Sequence, residues 1–260
     1  MQKNKSFTIQ NMVIVALLVA MSIILSRFSL MIPFFGYPSV RFSVTSIPIF
    51  LASALFGPVL GACAGFMSDL ISFALSTAGG PYYPGFTLNA VIAGAIPGWV
   101  VIHLKQSSKT YSFNRLNLLL GILTFSGAIL YTNFIGLDSL DVTPLFLSLP
   151  INLWMTFFLV GLLITLVIIF RWIQKKSPSH LSCFSIDKLI FINALQYICV
   201  NLMLTPLWLN HLYGLPISAS IFIRLFKAVV DVPLQVFLIY SVIHVLPKTI
   251  LGGTPCKTNP

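Results

Sequence analysis

The chain contains no glutamate, and its only acidic residues are five aspartates: Asp69, Asp138, Asp141, Asp187 and Asp231. Charged residues of both signs make up 8% of its 260 positions, where a soluble domain carries about a quarter. That scarcity excludes an ordinary water-soluble globule. Cys63, Cys183, Cys199 and Cys256 stand at unrelated spacings without a CxxC pair, so neither a disulfide framework nor a metal site is expected. His103, His180, His211 and His244 are dispersed. No Ser/His/Asp or paired-carboxylate arrangement can be picked out, so no catalytic residue is assigned. A GxxxxGK[ST] phosphate loop is also missing, which excludes nucleotide hydrolysis by that route. No cofactor is expected.

What the chain has is apolar surface: 57% hydrophobic residues and a mean hydropathy of +0.97. It is read as an all-α polytopic membrane protein, a single transmembrane domain over 1–260. Crossing a bilayer as helix takes about twenty apolar residues. Spans are expected at 11–32, 42–56, 59–77, 86–104, 116–136, 145–170, 189–210 and 218–246, eight in all, the second being short and carrying Pro48. The run after the basic N-terminus is too long for a signal peptide and lacks a small-residue cleavage site.

The net charge of +10 follows topology rather than nucleic acid, because Lys and Arg collect in short cytoplasmic loops. With the N-terminus inside, Lys3, Lys5, Lys105, Lys109, Arg115, Arg171, Lys175, Lys176, Lys188, Lys248 and Lys257 fall inside. Arg27 and Arg41 fall outside with Asp138 and Asp141. Both ends are therefore expected in the cytoplasm of a multi-pass protein.

Three groups of residues carry candidate chemistry. The first is the external stretch Gly79 to Ala90, where Tyr82, Tyr83 and Phe86 can cover a ring and Pro84 and Gly85 close a stiff loop. Thr87 is expected to cap the fourth span, whose free amides suit an anion or a carbonyl edge, with Asn89 two residues further in. A structured turn with an interfacial tyrosine pair is the other reading. The second group is Arg224, Lys227, Asp231 and Gln235, spaced three, four and four on one face of the last span. A charge near the bilayer centre costs about 2.5–3.5 kcal/mol, so this face must turn to partners or water. Lys227 and Asp231 can neutralise each other; Arg224 then either snorkels or meets an anionic part of a ligand from outside. The third is Asn193, Gln196, Tyr197, Asn201 and Trp208, sharing one face of the seventh span. Edge donors and acceptors with π surface suit a flat heterocycle, although amides also join helices and Trp208 also suits an interfacial belt. Elsewhere, Gly61, Gly65, Asp69, Ser72 and Ser76 form a stripe on the third span. Ala16 and Ala20 put two small side chains on one face of the first span, for packing within the chain or for a partner.

Taken with their neighbours, these residues resemble a known family. Four blocks carry it: Ala16–Ala20 with Leu25-Ser26-Arg27-Phe28; Val40-Arg41-Phe42-Ser43 to Pro48, then Leu55-Phe56-Gly57-Pro58 and the Gly61, Gly65, Asp69 series; Tyr82-Tyr83-Pro84-Gly85-Phe86-Thr87-Leu88-Asn89-Ala90; and Asn201 to Trp208 with Leu212-Tyr213-Gly214-Leu215-Pro216, Arg224, Lys227, Pro233, Gln235 and Tyr240. The chain resembles the substrate-binding S components of energy-coupling-factor (ECF) vitamin transporters, in particular the folate family. The resemblance covers about two thirds of the chain.

That resemblance implies a six-helix bundle binding a vitamin in an outward-open cavity, docked to a membrane coupling protein with two cytoplasmic ATPases in a prokaryotic plasma membrane. It implies folate as ligand, with Asn89 and Asn201 reading the pterin edge, Tyr82, Tyr83, Pro84, Phe86, Thr87 and Trp208 lining the ring, and Arg41, Arg224 and Lys227 facing the carboxylates. Ala16 and Ala20 become the docking face, and Asp69 and Asp231 structural charges. Thiamin, riboflavin or pantothenate is the alternative ligand; a membrane enzyme or a ligand-free bundle is a different class. The departure is residues 105–185, which add two transmembrane helices between family helices 4 and 5. The core is then 1–104 and 186–247, and an even number of added crossings keeps the last two helices oriented as in the family.

Overall fold

In a computed structural model the described residues are 8–34, 37–42, 44–75, 82–106, 113–134, 151–176, 185–214 and 217–245. Helices dominate them: α1 Ile9–Ser26, α2 Ser46–Phe56, α3 Pro58–Leu75, α4 Pro84–Gln106, α5 Asn114–Phe134, α6 Ile151–Lys176, α7 Ile186–Gln196, a π-helical segment Tyr197–Leu204, α8 Thr205–Tyr213 and α9 Ile217–Val245. Each of the eight apolar stretches expected from sequence contains a helix, the seventh being the continuous run α7–π–α8.

One difference lies between the first two. The chain leaves α1 at Ser26 and forms an antiparallel hairpin, β1 Leu30–Phe34 and β2 Tyr37–Phe42, with Met31 opposite Arg41 and Ile32 opposite Val40. Residues 27–32 therefore do not extend the first span, and the second starts at 46 rather than 42. Pro33 and Pro38 in this stretch cannot donate in a helix and suit an edge hairpin.

Helix boundaries follow proline and glycine chemistry. Gly57 adopts φ 101°, a region closed to most side chains, and lets α2 turn directly into α3, whose first residue is Pro58. Pro84 opens α4 in the same way. By length and composition five helices are able to cross a membrane: Ile9–Ser26, Pro58–Leu75, Pro84–Lys105, Ile186–Tyr213 and Ser220–Val245. Ser46–Phe56, Arg115–Leu130 and Thr156–Ile168 are shorter apolar helices over the described residues.

The core sits where α2, α4, α7 and α9 meet, around Phe50, Leu51, Val101, Leu189, Ile190, Val236 and Ile239. Next to it α1 packs on α2 and α3 through Val15, Ala52, Leu60 and Ala64. Alpha3 and α4 approach at backbone distance. A Cβ on Gly65 would run into the Ala90 carbonyl, and one on Gly94 into the Gly61 carbonyl, so the glycines of the third-span stripe are set by helix contact. A separate cluster of Phe125, Ala128, Leu159, Leu166 and Leu225 joins α5 and α6 to α9. The helices α5 and α6 thus pack against α9.

Candidate functional site

The start of α4 is held by a chain of hydroxyls. Thr87 Oγ1 donates to Asp69 Oδ2 on α3 at 2.8 Å, and the Tyr82 hydroxyl lies 2.9 Å from the same Thr87 oxygen. With the Thr87 hydrogen directed to the carboxylate, Tyr82 is the donor in the second bond. Thr87 was expected to cap this helix. The helix begins three residues earlier at Pro84, so Thr87 lies in its first turn, buried, and ties it to α3 instead. Proline at the first helical position needs no partner for its missing N–H, which is why Pro84 starts the helix rather than delaying it.

Two residues on, Asn89 is buried and uses both ends of its amide. Its Nδ2 donates to Thr205 Oγ1 at 3.2 Å, and its Oδ1 accepts from Trp208 Nε1 at 3.1 Å. Trp208 is thereby fixed against the rim, where the Tyr83 ring lies 5.8 Å from it and 5.8 Å from Phe86. Gly85 permits this grouping, because a Cβ there would sit 2.8 Å from Trp208 Cδ2 and closer still to the Tyr83 ring. His211 extends the aromatic edge, 6.3 Å from Tyr83.

Thr205 and the π segment connect this rim to α9. Thr205 Oγ1 donates to the Val200 carbonyl at 2.7 Å. Pro206 follows and has no N–H for the carbonyl one turn back, a local loss that a widened turn accommodates. At the other end of the segment the Tyr197 hydroxyl donates to the Arg224 carbonyl at 2.8 Å. Asn201 lies inside the segment, half-buried.

On α9, Arg224, Lys227 and Asp231 are 7%, 9% and 4% exposed. Lys227 Nζ is 3.4 Å from Asp231 Oδ2. Arg224 has no such counter-charge: among the described residues its guanidinium makes one long hydrogen bond, Nε to Ser220 Oγ at 3.4 Å. The face therefore carries two cations and one anion, an excess of one positive charge in a buried setting. Such a site favours an anionic ligand group.

The residues named from sequence fall into three places. Tyr82, Tyr83, Phe86, Thr87, Asn89 and Trp208 gather at the rim, with Pro84 and Asp69 supporting it. Arg224, Lys227 and Asp231 line α9. Ala16 and Ala20 are exposed on α1, beside exposed Val13, Leu17 and Ile24. Arg41 is placed by its backbone in β2, which packs beside α9; its side chain lies outside the described residues, as do positions 79–81 of the external stretch and Ser76 of the third-span stripe. Sequence reasoning passed over Thr205 and His211. The Thr-Pro pair at 205–206 was the available signal for the first; His211 had none.

Among known proteins, the sequence model of the ECF-type riboflavin transporter S component matches residues 6–143. The folate transporter FolT of Clostridium novyi (strain NT) is 31% identical over 113 residues, 44% of this chain and 60% of that protein. The chain thus aligns with only 60% of that curated relative's length. Among solved structures, a crystal structure of FolT bound with folic acid superposes with a TM-score of 0.52 at 21% identity, covering 92% of this chain and 96% of that one, a likeness of fold.

Proposed function

The chain belongs to the family of ECF-type riboflavin transporter S components, and from that premise we propose that it binds a folate from outside the cell and delivers it inward. The observation that carries the ligand is the buried Arg224, which lacks a carboxylate partner among the described residues. Folate brings two carboxylates to such a cation and a flat pterin to the aromatic rim. Asn89 and Asn201 read the pterin edge, Tyr82, Tyr83, Phe86 and Trp208 cover its face, Pro84 and Thr87 shape the rim, and Arg41, Arg224 and Lys227 meet the acidic tail. The naming of a 31% identical relative as a folate transporter supports the same ligand.

Riboflavin is the second reading, favoured by the description of the matching family. It has a flat ring system but no carboxylate, so Arg224 separates the two.

The remaining parts of the reading follow from the family and the charge pattern. The chain crosses a prokaryotic plasma membrane eight times with both ends inside. Ala16 and Ala20 on the exposed face of α1 receive a membrane coupling protein, which brings two ATPases; the chain itself is not an enzyme. Residues 105–185 are an insertion in a core made by 1–104 and 186–247. Asp69 and Asp231 hold the site together without touching ligand. Purification in mild detergent followed by mass spectrometry of released small molecules tests the substrate: folate is expected, and riboflavin in its place would transfer the reading to the second ligand.

A further inference from the structure

Between α5 and α6 on one side and α7, the π segment and α9 on the other runs a cleft. Leu120, Gly121 and Phe125 of α5, Leu166 of α6, Ile190 and Ala194 of α7 and Leu225 of α9 contribute to its apolar wall, which forms a half-open groove with about 50 Å³ of enclosed space. Gly121 stands on open space, with no atom within 4 Å of where its Cβ would be.

One end of the cleft is polar. Asn117 lines it and is 5% exposed. Its Nδ2 donates to the Asp187 carbonyl at 2.9 Å, whereas its Oδ1 is buried without a hydrogen-bond partner. An unsatisfied buried amide oxygen costs about 1–3 kcal/mol, and only an O–H or N–H donor relieves it. The sequence beside this end carries two cations, Arg115 and Lys188, against one buried anion, Asp187. Arg115 precedes Asn117 by two residues and is exposed, and Lys188 follows Asp187. They disfavour an ammonium donor and favour an anionic group carrying a hydroxyl.

We propose that this cleft binds one anionic glycerophospholipid with a hydroxyl-bearing headgroup, an acyl chain lying along Gly121 and Phe125 and a head hydroxyl donating to Asn117 Oδ1. The walls come from spans that carry no charge along the cleft, so the phase that reaches it is the bilayer. The lipid joins the additional helix pair to the bundle where direct packing leaves a gap. Tyr197, whose hydroxyl donates to the Arg224 carbonyl, also lines the cleft, so the lipid lies behind the face of α9 proposed to meet the vitamin.

The test is native mass spectrometry of the full chain released from nanodiscs holding equal amounts of phosphatidylglycerol and phosphatidylcholine with matched acyl chains. The wild type is expected to retain one phosphatidylglycerol per chain and phosphatidylcholine only at background. Gly121→Phe fills the cleft and is expected to lower retention about tenfold. Asn117→Leu is expected to keep a lipid but lose the preference for phosphatidylglycerol. Gly127→Phe, which also enters open space but does not line the cleft, serves as the folding control and is expected to retain lipid like the wild type. Equal retention of the two lipids by the wild type, or equal retention by wild type and Gly121→Phe, overturns the proposal. So does equal loss in Gly121→Phe and Gly127→Phe.

Discussion

The indole N–H of Trp208 donates to Oδ1 of Asn89 at 3.1 Å across 119 positions of sequence. That bond fixes an aromatic wall from α8 to an amide at the start of α4, and Thr205 takes the other end of the same amide. The aromatic group, the α8 wall and the Asn89 amide are therefore one unit. Trp208→Phe keeps most of the ring and removes the donor. It is expected to weaken folate binding about tenfold, equivalent to ~1.4 kcal/mol, while Trp208→Ala weakens it further. Isothermal titration of the two variants reads the difference.

Thr87→Val removes the hydroxyl that links Tyr82 to Asp69. The carboxylate loses a donor and Tyr82 its tether. The expected result is faster release of ligand with a modest fall in unfolding midpoint, since the net worth of such a bond is about 0.5–1.5 kcal/mol. Stopped-flow dissociation of a fluorescent pteridine ligand gives the rate.

The pair Lys227–Asp231 is buried, and removing one member strands the other. Asp231→Asn is expected to destabilise strongly, with losses of about 3–5 kcal/mol typical for breaking buried pairs. The double variant Lys227→Met, Asp231→Leu should recover much of that in thermal unfolding, because neither charge remains.

Gly65→Ala places a methyl against the Ala90 carbonyl. Forcing α3 from α4 is expected to cost about 1–3 kcal/mol, visible as a lowered unfolding midpoint in detergent, and to loosen the Thr87–Asp69 bond between the same helices.

The apolar spans, their helical class and the charged face of α9 were legible in the sequence, because bilayer thickness and helical spacing are strong constraints. The i, i+4 pairing of Lys227 and Asp231 follows from spacing alone. The hairpin at Leu30–Phe42 was not legible: its first strand is as apolar as the helix before it, and a membrane-length window counts apolarity without seeing Pro33 and Pro38. Thr87 was misread as a cap because Pro84 was taken as loop rather than as the first helical residue. The π segment was hidden because a scan at α-helical spacing does not register wider i→i+5 turns, and only Pro206 and the Thr205 hydroxyl mark it. The cleft behind α5 arises from how two distant helix pairs meet, which no local pattern encodes.

The central claim is that Arg224 binds the acidic end of a folate. Isothermal titration of the purified, ligand-free chain with folate and with riboflavin, in wild type and Arg224→Ala, tests it most directly. The account predicts saturable one-to-one folate binding by the wild type, a loss of at least about tenfold in Arg224→Ala, from removal of a charge-assisted contact of about 1.5–3 kcal/mol, and no riboflavin binding. Riboflavin binding unaffected by Arg224→Ala, with no heat from folate, would contradict it.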